Sequence, residues 1–170
     1  EDFRSYDELL YEVLSYCDME MNTNVYVASY DEILDIHRFF HPFSDVMDAL
    51  KECKKQGIKP IIGCEVYTAA RRMTDKQPDK DKHQGHLILL AKDDKGYKNL
   101  IKIVSAGYIK GYYYKPRIDK EVLRQHSEGI IALSACLAGK VQNELLNGNY
   151  KGAKEEAAEL LEIFGEGNFY

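Results

Sequence analysis

Three apolar segments of this 170-residue chain each carry one side chain of a type that binds metal ions. Glu65 lies within the run 57–67, His86 opens a second run, and Cys136 closes a third. A carboxylate among apolar neighbours needs a cation, a proton or hydrogen bonds, because an unpaired buried charge is costly. Carboxylate, imidazole and thiolate are ligands of zinc and manganese. The sequence therefore indicates a metal site, provided that the three segments meet.

Each of these residues also has a role that needs no metal. Glu65 can pair with Arg71 or Arg72, and His86 can cap its strand and hydrogen-bond a backbone carbonyl. Cys136 behaves by default as a small apolar residue. The sequence leaves both interpretations open, because only the convergence of the three side chains distinguishes them.

Helical and extended patterns alternate along the chain. Apolar residues at helical spacing predict a helix from about Tyr97 to Ile109, and Asp119 predicts the cap of a short helix. The charged segment from Ala70 to Gln84 reads as a solvated loop, and residues 168–170 as the start of a strand. Strands that alternate with helices indicate an α/β fold with parallel strand pairing.

The net charge of −5 is distributed unevenly. Residues 1–35 contain ten acidic side chains and one arginine, whereas residues 36–170 contain 22 Lys or Arg and 18 Asp or Glu. Such a shift indicates a compositional boundary before residue 57. We therefore separate an acidic segment, residues 1–50, from residues 51–170, and expect both to belong to one globular unit.

The sequence argues against several classes of protein. It has no apolar run near the roughly 20 residues of a membrane span, and it does not begin with a signal-peptide pattern. Four widely spaced cysteines without a CxxC pair indicate a reduced, cytoplasmic chain. Neither of the glycine-rich nucleotide-binding signatures is present, and there is no GxSxG motif.

Five segments resemble the PHP (polymerase and histidinol phosphatase) domain family, in particular the PHP domains of bacterial replicative DNA polymerase III alpha subunits. They are Gly57–Tyr67, His86–Asp93, Gly96–Leu100, Lys110–Asp119 and Leu133–Gly139. The similarity runs from about residue 51 to residue 170. It implies a partial or distorted (β/α)7 barrel with parallel strands, in which up to nine ligands at the strand ends hold two or three metal ions.

The resemblance also implies roles for the three candidate ligands. Glu65 matches the metal-bridging carboxylate, His86 a ligand on the next strand, and Cys136 a ligand position after the Leu-Ser-Ala motif. The family's opening His-x-His and Asp-His motifs are not found in residues 1–50, which hold only His37 and His41. Those two histidines lie four residues apart and could share a metal on one helix face, but an exposed or core-edge position is the favoured interpretation.

The family's last ligands, an Asp-x-His pair, would lie beyond Tyr170. We therefore expect an incomplete ligand set for zinc or manganese, with residues 51–170 truncated at their C-terminal end. Residues 1–50 are expected to be either diverged or foreign to the family.

A run of tyrosines and cations offers a candidate nucleic-acid surface. Tyr112, Lys115 and Arg117 belong to this run, in which rings could stack on single-stranded bases. Tyrosine runs more often pack against neighbouring residues with the hydroxyl at the surface, and that interpretation is favoured here.

The resemblance implies a role in DNA replication, within a parent nucleotidyltransferase whose polymerase site has no counterpart in this chain. We expect a structural module with an eroded metal site and little or no hydrolase activity. The implied partners are the rest of DNA polymerase III and its proofreading subunit, with DNA contacted only indirectly and no membrane contact. An exposed sheet edge would also favour self-association. The alternatives are a metal-dependent PHP phosphoesterase or 3′–5′ exonuclease, and a non-enzymatic hybrid or designed α/β scaffold.

Overall fold

A computed structural model describes residues 51, 53–57 and 59–170, together with the backbone of strand β1 (Thr23–Val27). The candidate ligands His37 and His41 lie outside the described residues. The chain divides into two units, Glu1–Gly63 and Cys64–Tyr170. In the first unit, residues 53–56 are helical, and Gly57 follows them with a φ of +73°, the left-handed conformation that ends many helices.

The second unit alternates strands and helices, as the sequence predicts for an α/β fold. Its first strand, β2, begins four residues before the boundary between the units. The elements are β2 (Pro60–Ala69), α1 (Pro78–Asp81), β3 (Gln84–Ala91), α2 (Asp94–Ile109), β4 (Arg117–Ile118), α3 (Lys120–His126), β5 (Ile130–Leu133), α4 (Lys140–Leu146) and α5 (Tyr150–Phe164). Asp119 caps α3 as predicted, because its carboxylate accepts a hydrogen bond from the amide of Val122 at 3.1 Å.

Four of these strands lie side by side in the order β4-β2-β3-β5. Strand β2 pairs with β4 in parallel, with Tyr67 opposite Arg117, whereas β3 pairs with β5 in antiparallel, with Leu89 opposite Ala132. The prediction of parallel strands is therefore wrong for β3 and β5. A buried strand shows the same apolar run in either direction, so its pattern reports burial but not orientation.

The last described residues extend this sheet beyond β5. The amide of Ala132 donates to the carbonyl of Asn168 at 2.8 Å, and the amide of Tyr170 donates back to Ala132 at 3.0 Å. Phe169 and Ala132 form a parallel bridge. The extended conformation predicted for residues 168–170 is confirmed. Within the described residues the strands number fewer than the seven of a complete (β/α)7 barrel.

Helix α2 packs against β3 and β5 to form the centre of the core. Leu89, Ile103 and Ile130 are almost completely buried there. Each such side chain contributes about 1.5–3 kcal/mol of hydrophobic stabilisation. The first turn of α2 lies so close to the turn before β5 that a Cβ atom at Gly96 would overlap the carbonyl oxygen of Gly129. This contact fixes the helix against the strand that leads to the candidate site.

Arg117 organises the segment that joins β2 to β3. Its side chain is fully buried, and its guanidinium donates at 2.9–3.2 Å to four backbone carbonyls, those of Met73, Asp75, Asp81 and Gly111. The segment 70–84, predicted to be a solvated loop, is therefore anchored to the core. The burial of Arg117 agrees with the favoured interpretation that this run packs against its neighbours, and it keeps the guanidinium away from the surface.

Asp81 is the second residue that anchors this segment. Its ion pair with Arg71 should make the stability of the fold depend on pH in acid. Arg71 donates to its carboxylate from Nε at 2.9 Å and from Nη2 at 2.6 Å, which lowers the pKa of Asp81 to about 2 although burial opposes the shift. A carboxyl group with a lowered pKa in the folded state stabilises the fold above its unfolded pKa, about 3.9. This stabilisation is lost as the pH falls from about 4 to 2.

We therefore expect the melting temperature of the parent chain to fall between about pH 4 and pH 2. Asp81→Asn should melt at a lower temperature at pH 7 and show a shallower decline in acid. Asp79→Asn, an exposed substitution on the same short helix, serves as the control. Circular dichroism melts from pH 7 to pH 2 measure both effects. An identical acid decline in the parent and in Asp81→Asn would contradict this assignment.

Candidate metal centre

Strand alternation places Glu65 on the open face of β2. Cys64 and Val66 point to the buried face, whereas Glu65 and Tyr67 are only partly buried, because successive side chains of a strand face opposite sides. His86 is the third residue of β3, the strand next to β2 in the sheet. The carboxylate and the imidazole are therefore neighbours across two adjacent strands.

Cys136 reaches the same place through the loop after β5. The amide of His86 donates to the carbonyl of Ala138 at 3.2 Å, and His86 forms a parallel bridge with Gly139. Ala135 has a φ of +66°, a left-handed conformation that turns the chain just before the cysteine. The loop is therefore attached to β3 at the candidate ligand itself, which holds Cys136 opposite the imidazole.

The three predicted ligand atoms converge. Nδ1 of His86 lies 2.6 Å from a carboxylate oxygen of Glu65 and 3.5 Å from Sγ of Cys136. The three donor atoms all lie within 4.8 Å of one another. The Glu65 and His86 side chains are 38% and 26% exposed, and Cys136 is exposed, so the cluster is open to solvent. Neither of the two arginines considered as partners pairs with Glu65, because Arg71 pairs with Asp81 and Asp75, and Arg72 pairs with Asp75.

Two residues that the sequence interpretation missed support the imidazole. The ring of Tyr67 meets the His86 ring edge to face, with 5.2 Å between the ring centroids. Lys115 lies 4.3 Å from the centroid of the Tyr67 ring and donates to its hydroxyl at 3.0 Å. The sequence feature that could have predicted Tyr67 beside the site is its position two residues after Glu65, which places both side chains on the same face of the strand.

Comparison with known proteins identifies the family. A family model of the PHP domain matches residues 18–170. The chain belongs to the PHP domain family. The matched range begins well before residue 51, so it includes much of the segment that was expected to be diverged or foreign. None of the helices in the described part of this PHP chain is long and apolar enough to cross a membrane.

Curated relatives of this PHP chain carry one name. The DNA polymerase III subunit alpha of Borreliella burgdorferi is 48% identical over 121 residues, and that of Treponema pallidum 46% over 121 residues. In both cases the match covers 71% of this chain and 10% of the relative. The subunit of Thermus aquaticus is 44% identical over 118 residues, which cover 68% of this chain and 10% of the relative. The chain thus spans about a tenth of the length of the curated relatives it matches.

The PHP donor set fits a single transition-metal ion. Zinc bonds of about 2.0–2.3 Å place neighbouring ligand atoms roughly 3.5 Å apart, which is the separation of Cys136 Sγ and His86 Nδ1. The 2.6 Å contact of His86 with Glu65 is a hydrogen bond that a bound ion would replace. A thiolate beside an imidazole favours zinc over the oxygen-preferring manganese. A zinc ion held by three protein ligands keeps one position for water and acts there as a Lewis acid.

A cavity of about 340 Å³ adjoins the imidazole. His86 contributes to its wall, which also contains cations of α3 and α4. Lys120 pairs with Glu156 at 2.7 Å, and Lys140 pairs with the same carboxylate at 3.0 Å. Glu156 is almost fully buried on α5, so these ion pairs attach α5 to the cavity wall. The paired charges balance one another and give the cavity no strong preference for an anion.

The candidate nucleic-acid residues differ in exposure and in the contacts that they make. Tyr112 is 53% exposed, and Lys115 is also exposed but lies against Tyr67. The structure therefore retains two of the three residues as surface groups, since Arg117 is buried.

Proposed function

We propose that this chain is the PHP region of a bacterial DNA polymerase III alpha subunit and acts in cytoplasmic DNA replication as a structural module with a residual metal site. The identity of 44–48% to relatives with that name supports the replication role. The convergence of Glu65, His86 and Cys136 within 4.8 Å is the observation that carries the metal site. The ion we propose is zinc, held by these three ligands.

The number of ligands argues against two-metal hydrolysis of phosphoesters at this cluster. Hydrolysis of phosphoesters by a two-metal mechanism needs ligands for a second ion about 3.5–4 Å away. Among the residues that the structure describes, Glu65, His86 and Cys136 form the one cluster of three metal-ligating side chains. A single ion that joins β2, β3 and the loop after β5 would stabilise the fold, because it binds the folded chain and not the unfolded one.

The partners follow from the same proposal. In the intact polymerase the module would contact the rest of the alpha subunit and lie near the proofreading subunit. Polymerisation itself would be carried out by other parts of that protein. The match to residues 18–170 favours a diverged over a foreign origin for residues 18–50.

A chimera tests the replication role. The 121-residue matched region of the Borreliella burgdorferi alpha subunit is replaced by the corresponding region of this chain, to which it is 48% identical. We expect the chimera to be soluble and to extend a primed template at a rate within about tenfold of the parent, because core positions tolerate volume-conserving changes. A control chimera carries Arg117→Met and should be insoluble or inactive. A first chimera that is folded but does not polymerise would contradict the proposal.

The cavity beside His86 favours one alternative, a phosphoesterase or 3′–5′ exonuclease. A 340 Å³ space next to a metal ligand is large enough for part of a phosphate ester. Release of 3′-terminal nucleotides from a labelled oligonucleotide, measured with Mn²⁺ and with Zn²⁺, tests it. Turnover that disappears in Glu65→Gln would establish this alternative, whereas equal background in both proteins supports the structural role.

A further inference from the structure

A long basic segment lies between His86 and Cys136 in the sequence. Residues 95–118 contain five lysines and one arginine and no Asp or Glu, in a chain whose net charge is −5. Arg117 is buried and Lys95 pairs with Glu128, so the other lysines supply the surface charge. A positively charged surface of this kind attracts polyanions and repels basic partners.

Exposed aromatic rings lie within the same segment. Tyr108 is 49% exposed, Tyr112 53% and Tyr114 65%, whereas Tyr113 between them is turned inward and lies against the buried guanidinium of Arg117. Tyrosines that only filled a core would not leave about half of their surface in water.

The loop that presents these rings is held rigidly. The amide of Arg117 donates to the carbonyl of Gly111 at 3.4 Å, and its Nε donates to the same oxygen at 3.2 Å. Across the turn, the amide of Tyr113 donates to Lys115 at 3.0 Å. A rigid surface loses little conformational entropy when it binds a ligand.

Tyr114 shows a backbone conformation that needs an explanation. Its φ of +61° lies in the left-handed region, which is uncommon for a residue other than glycine, asparagine or aspartate. Such conformations cost free energy and tend to cluster at functional sites. Here the turn directs an exposed aromatic ring outward beside Lys115.

Lysines lie on both sides of the rings. Positions 98, 101, 102, 108 and 109 share one face of α2 at helical spacing, and Lys98, Lys102, Tyr108 and Ile109 are all exposed. The amide of Lys110 donates to Ala106 at 2.9 Å, so the loop continues directly from this helix face. Aromatic rings interleaved with lysines are the surface on which single-stranded nucleic acids stack their bases and place their phosphates.

We propose that this surface binds single-stranded nucleic acid without sequence preference. We name it the tyrosine–lysine patch, and it consists of Lys98, Lys102, Tyr108, Lys110, Tyr112 and Tyr114. Its rings stack on bases and its lysines neutralise phosphates. Binding at the patch goes beyond the proposed function, since it needs neither the metal ion nor the rest of a polymerase. It also differs from the expectation that DNA is contacted only indirectly.

Fluorescence anisotropy with a fluorescein-labelled 15-nucleotide dT oligomer tests the patch. In 50 mM salt and EDTA we expect a Kd between about 1 and 100 µM for the parent chain. With about three phosphate contacts, Kd should rise with roughly the second power of the salt concentration. An equally long duplex should bind more weakly, because its bases are not free to stack on tyrosine.

Matched double substitutions separate the patch from general charge. Lys110→Ala with Tyr112→Ala should raise Kd about fivefold or more, the lower end of the effect for one stacked base. Tyr150→Ala with Lys154→Ala removes the same residue types from an exposed part of α5 and should leave Kd within about twofold. Tyr112→Phe with Tyr114→Phe should keep the affinity, because stacking needs the ring and not the hydroxyl. Melting curves check that each variant is folded.

Four results would overturn the proposal. The first three are no anisotropy change at 300 µM parent chain, an equal loss of affinity in the two alanine pairs, and a loss in the phenylalanine pair. The fourth is unchanged DNA binding by the patch variants together with altered sedimentation of the chain, which would make the patch a contact between copies. Because the assay contains EDTA, its outcome does not depend on the metal proposal.

Discussion

Arg117→Met is expected to lower the free energy of unfolding by at least about 3 kcal/mol. The substitution keeps a long apolar side chain but leaves the carbonyls of Met73, Asp75 and Asp81 without the donor that Arg117 supplies, and each buried group that loses its hydrogen bond costs about 1–3 kcal/mol. A domain is stable by only about 5–15 kcal/mol, so this loss removes a large share of the stability of the fold. Urea denaturation followed by circular dichroism measures the change.

Two further variants make the result specific to hydrogen bonding. Arg117→Lys keeps the charge but offers one nitrogen instead of a planar fork, so its loss should be smaller than that of Arg117→Met. Arg72→Met changes a side chain that is 81% exposed and should alter stability by no more than about 0.5 kcal/mol. If Arg117→Met were as stable as Arg72→Met, the carbonyls of Met73, Asp75 and Asp81 would not depend on Arg117, and the described loop structure would be wrong.

Zinc is expected to raise the stability of the parent chain by about 4 kcal/mol when its concentration is 1,000 times Kd. The reason is that the ion binds only where Glu65, His86 and Cys136 are brought together by folding. EDTA should remove the whole effect. The melting temperature of Glu65→Gln should change little with zinc, because an amide is a weaker ligand than a carboxylate and leaves two good donors.

Glu155→Gln is the matched control for this second prediction. Its side chain is 68% exposed on α5 and pairs with Lys151, one turn earlier on the same helix, at 3.7 Å. The zinc-dependent rise in the melting temperature of Glu155→Gln should therefore be the same as in the parent. If the melting temperature of Glu65→Gln also rises with zinc, the zinc effect belongs to other residues.

The sequence could single out the three side chains that converge because its signals are local. Glu65, His86 and Cys136 each lie at or beside an apolar run, and an apolar run reports a buried strand whatever its partners are. The apolar runs do not tell which strands are neighbours in the sheet. That information came from the family resemblance. Asp119 could be predicted as a helix cap for the same reason, since a cap depends on residues within one turn.

The sequence failed where distant parts of the chain decide the structure. In the sequence, Arg117 looks like any other cation in a basic run. The carbonyls of Met73 and Asp81, to which its side chain donates, lie 44 and 36 residues earlier in the chain. Asp81 looked solvated because its partner Arg71 stands ten residues earlier in a charged segment. The antiparallel direction of β5 next to β3 likewise depends on long-range pairing that no local pattern records.

The most direct test of the metal centre is the metal content of the purified chain. Parent, Glu65→Gln and Glu155→Gln are dialysed to equilibrium against equal concentrations of Zn²⁺ and Mn²⁺, and bound metal is counted by mass spectrometry. We predict about one zinc and little manganese per parent chain and per Glu155→Gln chain, with zinc absent from Glu65→Gln. Parent protein that retains no metal, or that retains the same zinc as Glu65→Gln, would contradict the claim that these three residues form a metal centre.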